Sequence, residues 1–442
     1  MPDLHQRRSF PGTLTGAGHE IAVQFRAHID GSGEVQFEFD DIVNSTAAIA
    51  MQGESLNARV RPTSFTLSGT SQDGVPFNTS RFQFGPTNLS WHESSGTVLK
   101  MSGRCLEGLF TCCEPDHPVT GPVLRCRLRG FRATDVLAQR CLLGRVAMEG
   151  ASGIESPDTP SGILEIREQE SVDDVAVWRA RADDLLDHIR NVMSFAAGTT
   201  LRAPVVEFKD GERVEVIVRS LTRQSHSAIP TINYQYQQPI FDAAVRSFFE
   251  PPFQVESLFF ATEWLSMNTT YNEARLIYAM TALENLVESN LTEEMTLIQT
   301  EISFRPLRRA IREAVRSYLN TVSAENLAAI AAEIEEKLPD LNRRSLLRKL
   351  YLLADNWGVS LSGITEAQIR GAKRARDLIV HRGSYYREGA PRSDDLWVHV
   401  TVIREVVIRL ILTAIGYRGN YASFIGGYHE VPFPPQPQIS AL

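Results

Sequence analysis

Long apolar segments are missing from this sequence, and so are the marks of a secreted protein. The first twelve residues, MPDLHQRRSFPG, have no apolar core such as a secretory signal needs. The most apolar stretch near the other end, VVIRLILTAI, is short and contains Arg409, whereas a membrane-spanning helix needs about 20 apolar residues. We therefore expect no membrane span and a cytoplasmic location.

Cysteine is also scarce, and its distribution excludes a disulfide framework. An odd number of cysteines without a secretory signal argues for reduced thiols. A zinc site needs two close pairs at ligand spacing, whereas CLEGLFTCCEPDH offers one adjacent pair with His117 nearby. We expect free thiols on strands, no metal and no cofactor. The five cysteines all lie in the first third of the chain: Cys105, Cys112, Cys113, Cys126 and Cys141.

An overall excess of positive charge is lacking too, since the formal net charge is -8. The distribution is uneven, however. Residues 255 to 420 hold 21 Lys+Arg and 21 Asp+Glu, whereas residues 1 to 254 hold 24 and 31, a net of -7. A polyanion should therefore prefer the C-terminal half.

The sequence does contain two halves with different hydrophobic patterns, within a globular composition of 43% hydrophobic and 22% charged residues. From residue 9 to about 170, short alternating runs separated by turn residues predict an antiparallel, sandwich-like β-domain. A helix is predicted at about 172 to 197. The runs VVEFKD, RVEVIVRS and TINYQY predict further strands.

Paired prolines stop a helix and stiffen a linker, so Pro251 and Pro252 predict a domain boundary. Beyond this boundary the hydrophobic pattern becomes helical. The short connections predict an all-α bundle with antiparallel neighbours. Helices are predicted at about 254–267, 271–290, 304–320, 324–337, 343–356, 365–382 and 394–416. The predicted organisation is multidomain α+β: a β-rich domain at 1–170, a helix with strands at 171–250, an all-α domain at 251–420 and a tail at 421–442.

One stretch of the helical half, KRARDLIVHRG at 373 to 383, combines groups suited to phosphate chemistry. Asp377 and His381 lie four apart and share a helix face, where the carboxylate can stabilise and orient the imidazole. Arg376 offers planar donors that suit a phosphate. With a 2′-hydroxyl as nucleophile, one such histidine and arginine suffice to cut RNA without a metal. The alternative is that these residues only end a helix. Gly383 would then be its C-terminal cap, and the positive charge of Arg382 in the last turn would complement the helix macrodipole.

Basic clusters elsewhere in this half favour a nucleic-acid partner. RRSLLRK at 343–349 and RGAKRAR at 370–376 are two of them. Lys373, Arg374 and Arg382 flank the motif as candidate phosphate contacts. The alternative for each cluster is a solvated face with i,i+4 ion pairs. A further basic stripe is predicted along one face of a helix whose apolar residues line a different side. Its members are Arg305, Arg308, Arg309, Arg312 and Arg316.

The R-x4-H spacing of Arg376 and His381, with the polar Asp377 directly after the arginine, resembles the signature of HEPN domains. Several stretches are similar to the ApeA-type branch, over about 165 residues of the helical half. They are YAMTALENLVES at 278 to 289, LNRRSLLRKL at 341 to 350, LIVHRGSY and GYRGNY. The β-rich half resembles the N-terminal domain that accompanies such HEPN domains.

The resemblance implies a metal-independent endoribonuclease of prokaryotic anti-phage (abortive infection) defence that works as a homodimer. Arg376 would then hold the scissile phosphate, His381 would act as general base or acid, and Asp377 would orient them. The β-rich half would sense a phage-derived or other trigger. The apolar helix at 397 to 415 could supply a dimer contact, unless it is simply central in its own core.

Two other functions stay open on the sequence alone. The helical half could bind RNA or a nucleotide without cutting it, with the motif serving only structure. Alternatively, the β-rich half could be a carbohydrate or protein receptor and the helical half a dimerisation platform.

Overall fold

The computed structural model of the chain describes residues 4–43, 45–57, 64–85, 88–92, 96–115, 118–151, 159–221, 229–267, 269–321, 327–386 and 395–434. The chain divides into two compact units, Met1–Phe249 and Glu250–Leu442. Within the described residues the first unit is mainly antiparallel sheet and the second mainly helix. The predicted α+β class with a β-rich N-terminal part and a helical C-terminal part is therefore confirmed. No helix among these residues combines the length and apolar character that crossing a membrane requires.

Sixteen strands are described in the first unit. They are β1 (Arg8–Gly16), β2 (His19–Ile29), β3 (Val35–Phe39), β4 (Ile42–Val43), β5 (Phe65–Thr70), β6 (Pro76–Phe84), β7 (Asn88–His92), β8 (Gly96–Lys100), β9 (Gly103–Cys105), β10 (Glu107–Cys113), β11 (Val123–Arg129), β12 (Leu137–Cys141), β13 (Gly144–Gly150), β14 (Pro160–Arg167), β15 (Arg202–Asp210) and β16 (Arg213–Arg219).

Most of these strands join one continuous sheet of 13 strands. Its order is β12-β13-β14-β11-β15-β16-β10-β6-β5-β1-β2-β3, with β9 beside β6. Strands β4, β8 and β7 form a separate three-stranded sheet. Because these thirteen strands share one hydrogen-bonded network, the antiparallel β-rich prediction is confirmed, and the finer sandwich-like arrangement stays a prediction.

Alternation in the sequence explains which face of this sheet is buried. In β2 every second residue from Ile21 to Ile29 is buried, as expected when successive side chains point to opposite faces. Eight phenylalanines belong to the resulting core, and the rings of Phe10 and Phe25 stack with centroids 5.1 Å apart. The eight are Phe10, Phe25, Phe37, Phe39, Phe65, Phe77, Phe82 and Phe110.

Three helices accompany the sheet: α1 (Thr46–Asn57), α2 (Val175–Ala197) and α3 (Gln238–Phe249). Helix α2 begins after Asp174, whose side chain accepts a hydrogen bond from the Val177 N–H at 3.0 Å. The sequence predicts neither α1 nor α3, and the strand predicted at TINYQY is wrong. Asn233 instead starts a turn there, with its Oδ1 accepting the Gln235 N–H at 3.1 Å.

The five cysteines lie on strands of the first unit, as predicted, and their thiols are free. Burial raises the pKa of Cys105 and of Cys126 to about 12, because the thiolate is disfavoured in apolar surroundings. Within the described residues no group of three or more His, Cys, Asp or Glu side chains could hold a metal ion. His117 lies outside those residues.

The second unit contains eight described α-helices, seven of which lie close to the predicted positions. The eighth, the short α6, has no predicted counterpart. A 3-10 turn at Leu338–Asn342 joins two of the helices. The eight α-helices are α4 (Leu258–Ser266), α5 (Asn272–Ser289), α6 (Glu293–Thr296), α7 (Glu301–Leu319), α8 (Leu327–Lys337), α9 (Leu346–Trp357), α10 (Glu366–Arg382) and α11 (Asp395–Ala414).

Helix α11 is the central helix of this unit, and residues 400 to 412 are buried without interruption. It packs against α4, α5, α9 and α10. The second apolar face of this helix is therefore covered within the chain. The dimer contact predicted from residues 397 to 415 is accordingly wrong, and the alternative of a central core helix holds.

The predicted tail at 421–442 begins as a β-hairpin, formed by β17 (Gly419–Ser423) and β18 (His429–Phe433). Tyr421 is fully buried, and its hydroxyl bonds Glu405 of α11 and accepts from Arg409 Nε at 3.1 Å. Arg409 also donates to the carbonyls of Ser360 and Ser362 at 3.0 and 2.8 Å. This buried polar network fixes the hairpin on α11.

Candidate functional site

Helix α10 carries the R-x4-H motif, and local sequence determines both of its ends. Thr365 caps the N-terminus in a reciprocal capping box with Gln368, with N–H to side-chain distances of 3.2 and 2.7 Å. Gly383 ends the helix in the left-handed conformation with φ of 75°. The helix buries one face, made by Ile369, Ala372, Ala375 and Ile379.

Charged and titratable residues line a second face of α10. Arg370, Arg374, Asp377 and His381 recur at i, i+4, i+7 and i+11, which places them in one row. Lys373 Nζ contacts the Asp377 carboxylate at 2.8 Å. Burial by itself would raise the pKa of Asp377, but the hydrogen bonds and charges of Lys373 and of the adjacent arginine outweigh it and hold that pKa below its usual range.

Arg376 leaves the helix on a different side and binds Glu284 of α5. Its Nη2 lies 2.7 and 2.8 Å from the two Glu284 oxygens, and its Nη1 lies 3.2 Å from Asp377. Both members of the Arg376–Glu284 pair are partly shielded, with side chains 26% and 34% exposed. Within the described chain the Nε–H of Arg376 has no hydrogen-bond acceptor, so this N–H can still donate to a phosphate oxygen.

His381 is exposed in the last turn of α10 and makes no hydrogen bond or ion pair in the described part of the chain. Asp377 therefore contacts Arg376 but not His381. His381 lies five positions after Arg376, which is roughly 7.5 Å along the helix axis and about 140° around it. Within one chain these two side chains leave the helix in different directions.

The predicted stripe on α7 is present but largely neutralised by glutamates. Arg308 lies 3.1 Å from Glu301, and Arg309 lies 3.0 Å from Glu313. Glu335 of α8 accepts contacts from the next two members of the stripe, Arg312 and Arg316, at 3.1 Å each. Arg305 is exposed and has no acidic partner among the described residues.

The other basic clusters are also partly engaged. In RRSLLRK, Lys349 is buried and bonds both oxygens of Glu288 at 2.7 and 2.8 Å. Beside the motif, Arg374 and Arg382 are exposed cations without an acidic partner in the described chain.

Sequence reasoning did not identify Glu284 as a site residue. The Ala-Leu-Glu step of α5 contained it only as part of a helical stretch. No local sequence signal points to it, because its contact with Arg376 joins residues 92 positions apart.

Comparisons with protein-family models, with curated proteins and with solved structures found no match for this chain.

Proposed function

We propose that the helical unit is a metal-independent endoribonuclease in which His381 moves protons and Arg376 binds the scissile phosphate. One observation carries the proposal: an exposed imidazole ends the α10 row of Arg370, Arg374 and Asp377, and Arg376, on another side of the same helix, is bound by Glu284. Exposure leaves the imidazole accessible to a polymer. Arg376 donates to two different carboxylates, from Nη2 to Glu284 and from Nη1 to Asp377, and these contacts limit the orientations that the guanidinium can take.

The reaction needs only the groups of this helix and the RNA itself. A histidine takes the proton of the 2′-hydroxyl, the 2′-oxygen bonds to phosphorus, and the bond to the 5′-oxygen breaks. The imidazolium so formed returns a proton to the leaving 5′-oxygen, directly or through water, so the products are a 2′,3′-cyclic phosphate and a 5′-hydroxyl. The guanidinium stabilises the charge that develops on the phosphoryl oxygens.

We further propose that the site forms between two copies of the chain. Because Arg376 and His381 leave α10 in different directions, the arginine of one chain would act with the partner's His381. A two-fold axis near the end of α10 would produce two such composite sites. The contact would therefore lie beside α10 and not on the buried helix α11.

Subunit mixing tests the composite site. Neither the His381→Ala nor the Arg376→Ala homodimer should cut RNA, whereas a mixed dimer retains one site with both groups and should regain activity. Mixed dimers that stay inactive would contradict the shared site, and so would a fully active monomer in solution.

A second function, RNA or nucleotide binding without cleavage, is favoured by one observation. Two carboxylates already bind Arg376, as in a structural ion pair. Purified protein incubated with RNA and EDTA separates the two: turnover supports the nuclease, and salt-sensitive binding without turnover supports the binding module. Absence of RNA binding would instead favour a dimerisation platform attached to a β-rich receptor.

The proposed biological role is anti-phage defence, with the β-rich unit sensing the trigger. Expression of the intact protein should then reduce phage plaque numbers, and the His381→Ala variant should lose that protection. Equal protection by both proteins would contradict the role of RNA cleavage in defence.

A further inference from the structure

A cleft of about 260 Å³ opens beside the α10 row, between α5, α9 and α10. Its volume lies just below the usual range of small-molecule pockets, roughly 300–1,000 Å³, so it suits a small planar group. Its walls are aliphatic: Met280, Leu283, Leu346, Leu347, Leu350 and Ile369.

The rim of the cleft is cationic and polar, in contrast to its walls. Arg370, Lys373 and Arg374 from α10 contribute to it, together with the hydroxyl of Ser345. Arg370 bonds Glu366 at 2.7 Å and Lys373 bonds Asp377 at 2.8 Å. Arg374 is the rim cation that has no acidic partner within the described residues, so it can contact a phosphate or stack on a base.

The cleft lies on the same side of α10 as His381, because Arg374 and His381 belong to the same row. His381 lies seven positions after Arg374, which is roughly 10 Å along the helix axis. A strand with its scissile phosphate at His381 and its backbone along this row would bring a neighbouring base to the cleft.

We propose that this cleft binds one base of a single-stranded RNA substrate, with Arg374 contacting that nucleotide's phosphate. The inference rests on the proposed function and adds a substrate subsite to it. Unstacked bases are the part of single-stranded RNA that proteins bind through apolar surfaces and guanidinium planes. A cleft with hydrocarbon walls and a cationic rim matches a flat base attached to an anion.

The test measures binding in the cleavage-inactive His381→Ala background. Leu346→Trp should fill the cleft from a half-buried wall position, and Asn356→Trp adds the same side chain at an exposed site on the same helix. The probes are a fluorescein-labelled uridine decamer and an abasic ribose-phosphate decamer. We expect Leu346→Trp to weaken binding of the uridine decamer about ten-fold and to leave binding of the abasic decamer unchanged. Asn356→Trp should change the affinity for neither probe.

A second pair of variants tests the rim without altering the core. Arg374→Gln should weaken both probes and lower the slope of log K against log salt by roughly 0.7. The exposed Arg418 serves as a charge-matched control, and Arg418→Gln should not change the slope.

The outcomes separate this inference from the nuclease proposal. If the wild type cuts RNA but Leu346→Trp behaves like Asn356→Trp, the subsite is wrong and the nuclease stands. If the wild type does not cut RNA but Leu346→Trp selectively weakens the uridine decamer, the subsite stands in a binding protein. Failure of the decamer to bind, or uridine monophosphate binding as tightly as the decamer, would overturn the RNA subsite.

Discussion

Replacing Glu284 by glutamine should reduce RNA cleavage far more than it reduces stability. The substitution keeps the size of the side chain but removes the charge that binds Arg376 at 2.7 and 2.8 Å. If Glu284 is a positioning residue, the guanidinium will sample other orientations, and a displacement of about 1 Å at a reacting centre costs on the order of 100-fold. We expect kcat to fall about 10- to 100-fold with little change in KM.

The stability cost should be small because the pair is only partly shielded, at 26% and 34% side-chain exposure. Exposed pairs contribute about 0–1 kcal/mol, and breaking a buried pair costs about 3–5 kcal/mol. An intermediate loss of about 1–2 kcal/mol is expected. For a unit of this size it lowers Tm by roughly 2–8 °C.

Glu288 provides the matched control on the same helix. It also accepts two contacts from one cation, at 2.7 and 2.8 Å, but that cation is Lys349 of α9 and not a residue of the motif. Glu288→Gln should cost at least as much stability, since Lys349 is buried, and should leave kcat unchanged. Urea unfolding and steady-state cleavage of a fluorescent RNA at 25 °C measure both quantities.

Equal effects of Glu284→Gln and Glu288→Gln on kcat would refute the positioning role. The Arg376–Glu284 pair would then be an ordinary structural ion pair.

Three further predictions follow from the described geometry. End-group analysis with EDTA present should find 2′,3′-cyclic phosphate and 5′-hydroxyl ends, and loss of activity on chelation would point to a metal nuclease. Neutralising Arg308, Arg309 and Arg312 together should lower the salt slope of RNA binding by less than the roughly two units expected for three unpaired contacts, because each already faces a glutamate; a full two-unit change would contradict this. Burial lowers the pKa of His188 to about 4, so below about pH 6.5 the unfolded chain binds the extra proton. The free energy of unfolding of the N-terminal unit, measured with urea, should then fall by up to about 3 kcal/mol as the pH is lowered from 6.5 to 4. His188→Gln should flatten that pH dependence.

Helix α10 shows how well local signals predict structure. Its predicted range, 365–382, agrees with Glu366–Arg382 because the capping threonine and Gly383 are sequence neighbours of the helix they end. The hairpin of β17 and β18 was not predicted, since it depends on burial of Tyr421 against Glu405 and Arg409. Such contacts join residues distant in sequence, so no local pattern contains them.

The same distinction applies to the candidate site. The contact of Lys373 with Asp377 spans four residues and follows from helix geometry. The contact of Arg376 with Glu284 spans 92 residues, and no alternation or periodicity of hydrophobic residues in the sequence predicts it. The row of residues ending at His381 was therefore predictable, whereas the partner that holds Arg376 required the packing of α10 beside α5.

Pairing of charges along α10 has a consequence for how RNA would be bound. Arg370, Lys373 and Arg376 each face a carboxylate, which leaves Arg374 and Arg382 as the α10 cations without an acidic partner in the described chain. Two phosphate contacts give a salt slope of roughly −1.4 for single-stranded RNA. Two copies of α10 beside a two-fold axis would double the contacts and the slope, to roughly −2.8. The weak electrostatics of one helix therefore favour a strand bound across both chains, the same arrangement that brings Arg376 of one chain to the partner's His381.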